Sequence, residues 1–317
     1  MSEEQSSEYK REGRTNTLIS KFLDYVEIRT KITSVFAFLY SIAFLVYQEQ
    51  KINWILTLLF FISMFVFDLT TTAINNYIDT KNNQQMLQFN RKSALLIIYV
   101  LFGISCIAGL YLAYRTDVII LLVGGICFLC GILYTYGPLP ISRQPLGEVL
   151  SGIFYGLLIP FILLYINMPK GTFLLLDYSF QEISIKLQVV PIVSLLLFSI
   201  IPFCTTANIM LANNICDLEK DILVKRHTLP YYIGRKALYL FAGLYYMTYI
   251  VLVGLVAFKI LSPICLFALL TIIIVQRNIN KFFQKQDKSS TFVLSVKNYI
   301  IIMGADVFMI FVSALFN

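Results

Sequence analysis

Two segments of the chain repeat one pattern of amide and carboxylate side chains, N-N-x-x-D-x-x-x-(D/N). The two copies are Asn75-Asn76-x-x-Asp79-x-x-x-Asn83 and Asn213-Asn214-x-x-Asp217-x-x-x-Asp221. On a helix, residues four positions apart stay near one face, so each copy can direct its side-chain oxygens towards one point. Such oxygens are hard ligands that suit Mg²⁺, especially where phosphate and water complete an octahedron.

The repeated pattern predicts a magnesium site assembled from both copies. We expect catalysis to depend on Asp79, Asp217 and Asp221, and we expect these three and Asn83 to be the metal ligands. A single cluster of this kind is also typical of a plain polar cap where a helix meets water. Two clusters at identical spacing favour a functional site, because carboxylates near membrane depth are costly.

Residues near the two copies are candidates for holding a phosphorylated substrate. Lys225 and Arg226 follow the second copy, where their charges can stabilise a diphosphate leaving group; an ordinary basic loop is the other interpretation. The proline- and glycine-rich segment 134–148 indicates a shaped loop, in which Glu148 is either a charge at a helix amino terminus or a substrate contact. The substrate-binding candidates are Asn75, Asn76, Asn213, Asn214, Lys225, Arg226, Tyr134, Tyr136, Arg143 and Glu148.

Long apolar segments must position these residues. Hydrophobic residues make up 58% of the 317 and charged residues only 14%, a composition that a soluble core would not absorb. Nine blocks have about the length that crosses a bilayer. They fall near 32–48, 52–76, 93–114, 117–136, 148–166, 189–213, 236–258, 261–276 and 298–316.

The blocks predict an all-α polytopic membrane protein with about nine transmembrane helices. The two copies of the pattern end the second and sixth blocks, which indicates two pseudo-repeated halves. We expect residues 1–317 to form one membrane-embedded domain. Its polar segment 1–28 has no apolar run typical of a signal peptide.

Lysine and arginine are distributed unevenly between the two sides of this bundle. With nine spans, 20 of the 25 basic residues share the side of the amino terminus, and the rest are Lys51, Arg115, Lys170, Lys186 and Lys259. The positive-inside rule then predicts a cytoplasmic amino terminus in the cell membrane, with both copies of the pattern facing the cytoplasm. The basic charge is thus explained by topology, and we expect no nucleic-acid partner.

Other polar residues lie in or beside the apolar blocks. Asp68 and Asn208 are expected to point into the bundle and to hydrogen-bond between helices. Lys31, just before the first block, fits a plain topology signal. The outer segment 167–188 fits either an interfacial segment or a plain connecting loop.

At these residues the chain resembles the UbiA superfamily of intramembrane prenyltransferases, and especially its 1,4-dihydroxy-2-naphthoate polyprenyltransferases. The second copy is similar to that branch's N-N-x-R-D-x-x-x-D. The other matching segments are Arg226 with Thr228-Leu229, similar to Lys-x-Thr-Leu, and Tyr136-Gly137-Pro138-Leu-Pro140 with Leu146-Gly147-Glu148, similar to G-G-P-x-P and G-L-G-(E/D). Amides at Asn76 and Asn83 replace two acids of the family's first motif, and Cys216 replaces an arginine, which predicts weaker metal binding at the first copy.

The resemblance implies Mg²⁺-dependent transfer of a polyprenyl group from an allylic polyprenyl diphosphate to an aromatic acceptor. In this branch the acceptor is 1,4-dihydroxy-2-naphthoate, and its prenylation gives demethylmenaquinol in menaquinone biosynthesis. The implied partners are the donor, the acceptor and the lipid bilayer. Another acceptor within the superfamily, a non-catalytic descendant and a membrane transporter remain as alternatives. A transporter would carry its polar groups near the bilayer midplane, whereas both copies end their helices at one side.

Overall fold

The computed structural model describes residues 17–82, 87–137, 140–178 and 181–316. The helices are α1 (Leu18–Tyr25), α2 (Ile32–Tyr47), α3 (Trp54–Asn82), α4 (Arg91–Arg115), α5 (Val118–Thr135), α6 (Gly147–Asn167), α7 (Val189–Cys216), α8 (Leu218–Leu223), α9 (Leu229–Ile233), α10 (Lys236–Ala257), α11 (Ile272–Gln284) and α12 (Phe292–Ser313). In these ranges eight helical segments are long and apolar enough to cross a membrane, and α5 is a shorter apolar helix. Each of the nine predicted blocks is therefore helical, and the protein is a multi-pass membrane protein.

Two irregular segments have defined shapes. The spanning segment that ends in α11 begins with a 3₁₀ helix over Pro263–Thr271. The outer segment 167–188 contains a two-stranded antiparallel hairpin, β1 (Leu174–Tyr178) and β2 (Ile183–Leu187), in which Leu174 lies opposite Leu187. The hairpin replaces the plain connecting loop, and a position along the membrane interface stays a prediction. Strand pairing satisfies the backbone donors and acceptors that an irregular segment would leave exposed beside the membrane.

Helices α6 and α7 approach each other closely because α6 carries two glycines four positions apart. The middle of α6, Gly152–Leu158, has π-helical hydrogen bonding. Gly152 and Gly156 face Phe203 of α7, and a Cβ atom on Gly156 would lie only 2.2 Å from the Phe203 backbone nitrogen. Small residues at this spacing let two helix backbones meet inside a membrane, where packing rather than the hydrophobic effect drives association.

Helix α7 contains Pro202, which cannot donate to the carbonyl four residues earlier. That carbonyl belongs to Phe198, and the hydroxyl of Tyr40 on α2 donates to it at 3.4 Å. The ring of Tyr40 also stacks on the ring of Phe198, with centroids 4.1 Å apart. A proline inside a membrane helix is therefore satisfied by a neighbouring helix, which joins α2 to α7.

Replacing Gly156 by alanine is expected to destabilise the bundle by about 1–3 kcal/mol, because the new methyl group meets the Phe203 backbone rather than a side chain that can move. A lower midpoint of thermal unfolding in detergent would show this. Gly243→Ala on α10 is the matched control, since a Cβ there meets nothing within 4 Å. Equal midpoints for the two variants would contradict the close approach of α6 and α7.

Candidate active site

A cavity of about 990 Å³ lies among helices α3 to α7. Its interior is mostly apolar and contains the stacked pair of Phe67 and Phe128, whose centroids are 4.0 Å apart. Other apolar side chains that line it are Phe60, Met64, Phe102, Leu112, Phe154, Leu158 and Ile162. The cavity is thus large enough for a long apolar ligand, and polar residues gather at one end of it.

The second copy of the repeated pattern forms one continuous face at this polar end. Helix α7 ends at Cys216 and α8 begins at Leu218, yet the helical hydrogen bonding continues across the junction. The backbone nitrogen of Asp217 donates to the backbone carbonyl of Asn213 at 3.0 Å, and the backbone nitrogen of Asp221 donates to the backbone carbonyl of Asp217 at 2.8 Å. Asn213, Asp217 and Asp221 all line the cavity, so the spacing of four residues places them together as expected.

The first copy reaches the same cavity from the end of α3. Asn75 and Asp79 line it, so side chains of both halves of the chain share one space. Asn83, the remaining predicted metal ligand, lies outside the described residues. The cavity lining also includes Tyr134 near the end of α5 and Arg143 from the loop between α5 and α6.

Within the described part of the chain, five predicted substrate-binding residues do not line the cavity: Asn76, Asn214, Glu148, Tyr136 and Lys225. Asn76 donates its amide to the carbonyl of Tyr25, at 2.8 Å. Asn214 donates to the carboxylate of Glu148, also at 2.8 Å, and Glu148 is only 3% exposed. Tyr136 and Lys225 are exposed on the surface of the bundle. The first asparagine of each copy therefore faces the cavity, and the second one fastens α3 or α7 to a neighbouring segment.

Arg226 connects three parts of the polar end. Its guanidinium Nε donates to the carbonyl of Ser142 at 2.8 Å, and its Nη1 lies 3.8 Å from a carboxylate oxygen of Asp221. Its backbone nitrogen donates to the carbonyl of Asp221, at 2.8 Å. The backbone nitrogen of His227 also donates to the carbonyl of Arg143, at 3.3 Å. The loop before α6 and the loop before α9 are therefore joined and form one wall of the cavity.

Burial and nearby charges have opposing effects on the pKa of Asp221 at this end of the cavity. Burial raises the pKa of Asp221, while the nearby charges of Arg226 and Lys288 act against that rise. In the part of the chain that the structure describes, no three His, Cys, Asp or Glu side chains are grouped closely enough to hold a metal ion by themselves. The donor set of carboxylate and amide oxygens fits Mg²⁺, which commonly keeps water and takes substrate phosphate oxygens as further ligands.

Lys288 contacts two residues that line the polar end of the cavity, and it was not predicted from the sequence. It lies on the loop between α11 and α12, and its ammonium is 2.5 Å from a carboxylate oxygen of Asp217. It also donates to the side-chain oxygen of Asn213. Nothing in its local sequence distinguishes it from the other lysines on the same side of the bundle; only its position opposite α7 does.

A second group of polar side chains lies deeper in the cavity. The ammonium of Lys31 is 2.9 Å from a carboxylate oxygen of Asp68, and the hydroxyl of Tyr155 donates to the same oxygen at 2.8 Å. Lys31 is 4% exposed and Asp68 is 6% exposed. The expected bonds of Asp68 and Asn208 between helices are confirmed, since Asn208 donates to the carbonyl of Phe241 at 2.9 Å. Lys31, which fitted a topology signal, instead points into the bundle.

Tyr155 reaches this deeper group from the π-helical part of α6. π-Helical turns widen a helix locally and occur often at functional sites. Tyr155 was not predicted as a site residue, because residue spacing does not encode the irregular turn that directs its side chain. The three side chains Lys31, Asp68 and Tyr155 are called the inner polar group below.

Together these features define a class of protein: a multi-pass helical membrane protein whose apolar cavity ends in paired acidic and basic side chains at one side of the bundle. A model of the UbiA prenyltransferase family matches residues 34–299. The chain therefore belongs to the UbiA prenyltransferase family, and its apolar helices make it a membrane-embedded member of that family.

Individual relatives agree with this family. The chain is 29% identical over 226 residues to 1,4-dihydroxy-2-naphthoate octaprenyltransferase of Bacillus subtilis (strain 168). The match covers 67% of this chain and 66% of that relative, slightly less than two thirds of the relative's length.

Solved structures share the fold. A structure of digeranylgeranylglyceryl phosphate synthase superposes with a TM-score of 0.63 at 16% identity and covers 94% of this chain and 99% of that one. A UbiA homologue from Archaeoglobus fulgidus, bound to geranyl diphosphate (GPP) and Mg²⁺, superposes with a TM-score of 0.60 at 14% identity and covers 93% and 99% of the two chains.

Proposed function

We propose that this protein transfers a polyprenyl group from an allylic polyprenyl diphosphate to 1,4-dihydroxy-2-naphthoate, with Mg²⁺ as cofactor, to give demethylmenaquinol. The observation that carries the proposal is the single cavity in which an apolar interior adjoins the acids and bases of both repeated segments. A polyprenyl diphosphate has the same two parts, a long apolar chain and a polyanionic head. The Bacillus subtilis relative supports the choice of acceptor.

The polar end of the cavity would hold the diphosphate. Asp79, Asp217 and Asp221, with the amide oxygens of Asn75 and Asn213, would hold Mg²⁺. When bound, Mg²⁺ would supply charge stabilisation to the departing diphosphate. Arg226 and Arg143 would donate to phosphate oxygens from the wall formed by the loops before α6 and α9. As the bond between the allylic carbon and oxygen breaks, its electron pair leaves with the diphosphate. A ring carbon of the acceptor forms the new bond to the allylic carbon, and the acceptor's carboxylate leaves as carbon dioxide, so the products are demethylmenaquinol, diphosphate and carbon dioxide.

The inner polar group would hold the acceptor. Asp68 precedes Asn75 by seven residues on α3, which is about 10 Å at 1.5 Å per residue. An aromatic ring between them would lie within reach of both the diphosphate end and the apolar interior. Lys31 would pair with the acceptor's carboxylate, and Asp68 and Tyr155 would contact its hydroxyl groups. The surrounding phenylalanine faces exclude water and can stabilise an allylic cation.

The membrane position of the site follows from the charge distribution along the chain. We place the amino terminus and the polar end of the cavity at the cytoplasmic side of the cell membrane, because most of the lysines and arginines lie on that side of the bundle. Soluble acceptor molecules would enter there, and the apolar chain of the donor would extend into the membrane-embedded interior.

The proposal predicts a defined product. Purified protein with Mg²⁺, an all-trans polyprenyl diphosphate and 1,4-dihydroxy-2-naphthoate should release diphosphate and form a prenylated quinol that lacks the carboxylate, measured by mass spectrometry. Removal of Mg²⁺ with a chelator should stop the reaction, and added Mg²⁺ should restore it. Parallel reactions with 4-hydroxybenzoate and homogentisate control for acceptor identity. A product with one of these and none with the naphthoate would contradict the acceptor, and turnover in excess chelator would contradict the metal.

A further inference from the structure

The loop between α11 and α12 has a well-defined shape that presents Lys288 to the polar end of the cavity. The carboxylate of Asp287 accepts hydrogen bonds from the hydroxyls of Ser289 and Ser290, both at 2.6 Å, and from the backbone nitrogen of Ser290 at 2.8 Å. The backbone nitrogen of Asp287 donates to the hydroxyl of Thr291, at 2.8 Å. These bonds lower the pKa of Asp287 to about 2.

From this turn, Lys288 extends to the second copy of the repeated pattern. Its ammonium contacts the amide oxygen of Asn213 and is 2.5 Å from the carboxylate of Asp217. It also lies 4.7 Å from the ring centroid of Phe292, and Phe292 lines the cavity. One cation therefore occupies the pair of oxygens that, under the proposed function, would face Mg²⁺ and diphosphate.

The ammonium of Lys288 and a divalent metal ion would compete for the carboxylate of Asp217. An ammonium beside Asp217 reduces the negative potential that attracts a divalent ion, because unit charges a few ångströms apart interact strongly in a partly buried place. A diphosphate brings several negative charges to the same position. Lysine has three donors on a flexible four-carbon chain, so its ammonium can turn from Asp217 to phosphate oxygens without movement of the loop.

We propose that Lys288 is a further diphosphate-binding residue, which pairs with Asp217 and donates to Asn213 until metal and donor bind, and then turns to the donor's diphosphate. This inference rests on the proposed function, because it needs a diphosphate in the cavity. It assigns to the α11–α12 loop a direct part in donor binding. It also predicts opposite effects of one substitution on the binding of metal and of diphosphate.

The test compares Lys288→Met, which removes the charge, with Lys288→Arg, which keeps it. Lys285→Met is the matched control, since Lys285 is an exposed lysine of the same loop. Binding of Mn²⁺ without diphosphate is measured by electron paramagnetic resonance, and it should become about threefold to tenfold tighter in Lys288→Met. Inorganic diphosphate in the presence of Mg²⁺ should bind this variant about tenfold more weakly, which is the change expected for one lost charge-assisted hydrogen bond. Lys288→Arg should restore most of the diphosphate affinity.

The outcomes separate the inference from the function on which it rests. Weaker Mn²⁺ binding together with weaker diphosphate binding in Lys288→Met would show a merely structural role and overturn the inference. Unchanged diphosphate affinity would overturn it as well. In both cases the unsubstituted protein still binds Mn²⁺ and diphosphate. If the unsubstituted protein binds neither, the proposed function itself fails.

Discussion

Replacing Asp217 by asparagine is expected to lower the rate of prenyl transfer by on the order of 10²–10³-fold, the loss typical of removing one group that stabilises charge in a transition state. Asp217 lies at the junction of α7 and α8, between Asn213 and Asp221 on the face that lines the cavity. It is also the carboxylate held by Lys288. The substitution keeps the shape of the side chain and removes its charge, so the loss should fall on metal and diphosphate rather than on folding.

The matched control for Asp217 is Glu219→Gln. Glu219 is two residues away on α8, carries the same charge and points to solvent. Its substitution should change the rate by no more than about twofold, since surface changes away from a site are nearly neutral. Initial rates over a range of Mg²⁺ concentrations measure both variants, and Asp217→Asn should need more Mg²⁺ for its residual rate. Full activity in Asp217→Asn, with an unchanged Mg²⁺ requirement, would remove Asp217 from the proposed metal site.

Replacing Arg226 by glutamine is expected to reduce kcat/KM for the polyprenyl diphosphate by about a hundredfold, because a charge-assisted bond to the diphosphate and the anchor to Ser142 are lost together. Arg226 donates to the Ser142 carbonyl at 2.8 Å and lies 3.8 Å from Asp221. Arg226→Lys should recover only part of the activity, since a single ammonium cannot make the bond to Ser142 and also contact phosphate as the planar guanidinium does.

Steady-state kinetics with both substrates varied separately would measure the effect of Arg226. The KM for the donor should rise in Arg226→Gln while the KM for the acceptor stays nearly constant, which distinguishes diphosphate binding from general damage to the cavity. Arg235→Gln is the control, because Arg235 is an exposed basic residue shortly before α10. A donor KM that is unchanged in Arg226→Gln, or that changes equally in the control, would contradict a direct role for this guanidinium.

The sequence alone determined the helices and the face on which the repeated residues lie. Block length and hydrophobicity are properties of each segment, and a segment of about 20 apolar residues in a membrane must satisfy its own backbone, which leaves the helix as its solution. Spacing of four residues likewise sets a common face within one helix. Asn213, Asp217 and Asp221 therefore meet at the cavity as expected, with Asn75 and Asp79 facing them from α3.

Tertiary structure decided what surrounds that face. Asn76 and Asn214 share the pattern but bond to Tyr25 and Glu148, because the next position on a helix is rotated by about 100° towards a neighbouring segment. Lys31 and Lys288 were among many basic residues on one side of the bundle, and only packing brings them to Asp68 and Asp217. Contacts between residues far apart in the chain depend on how helices pack, and helix periodicity carries no information about that. The repeated Asn and Asp residues could thus be predicted from spacing, whereas the pairing of Lys288 with Asp217 and of Lys31 with Asp68 became visible only in the folded bundle.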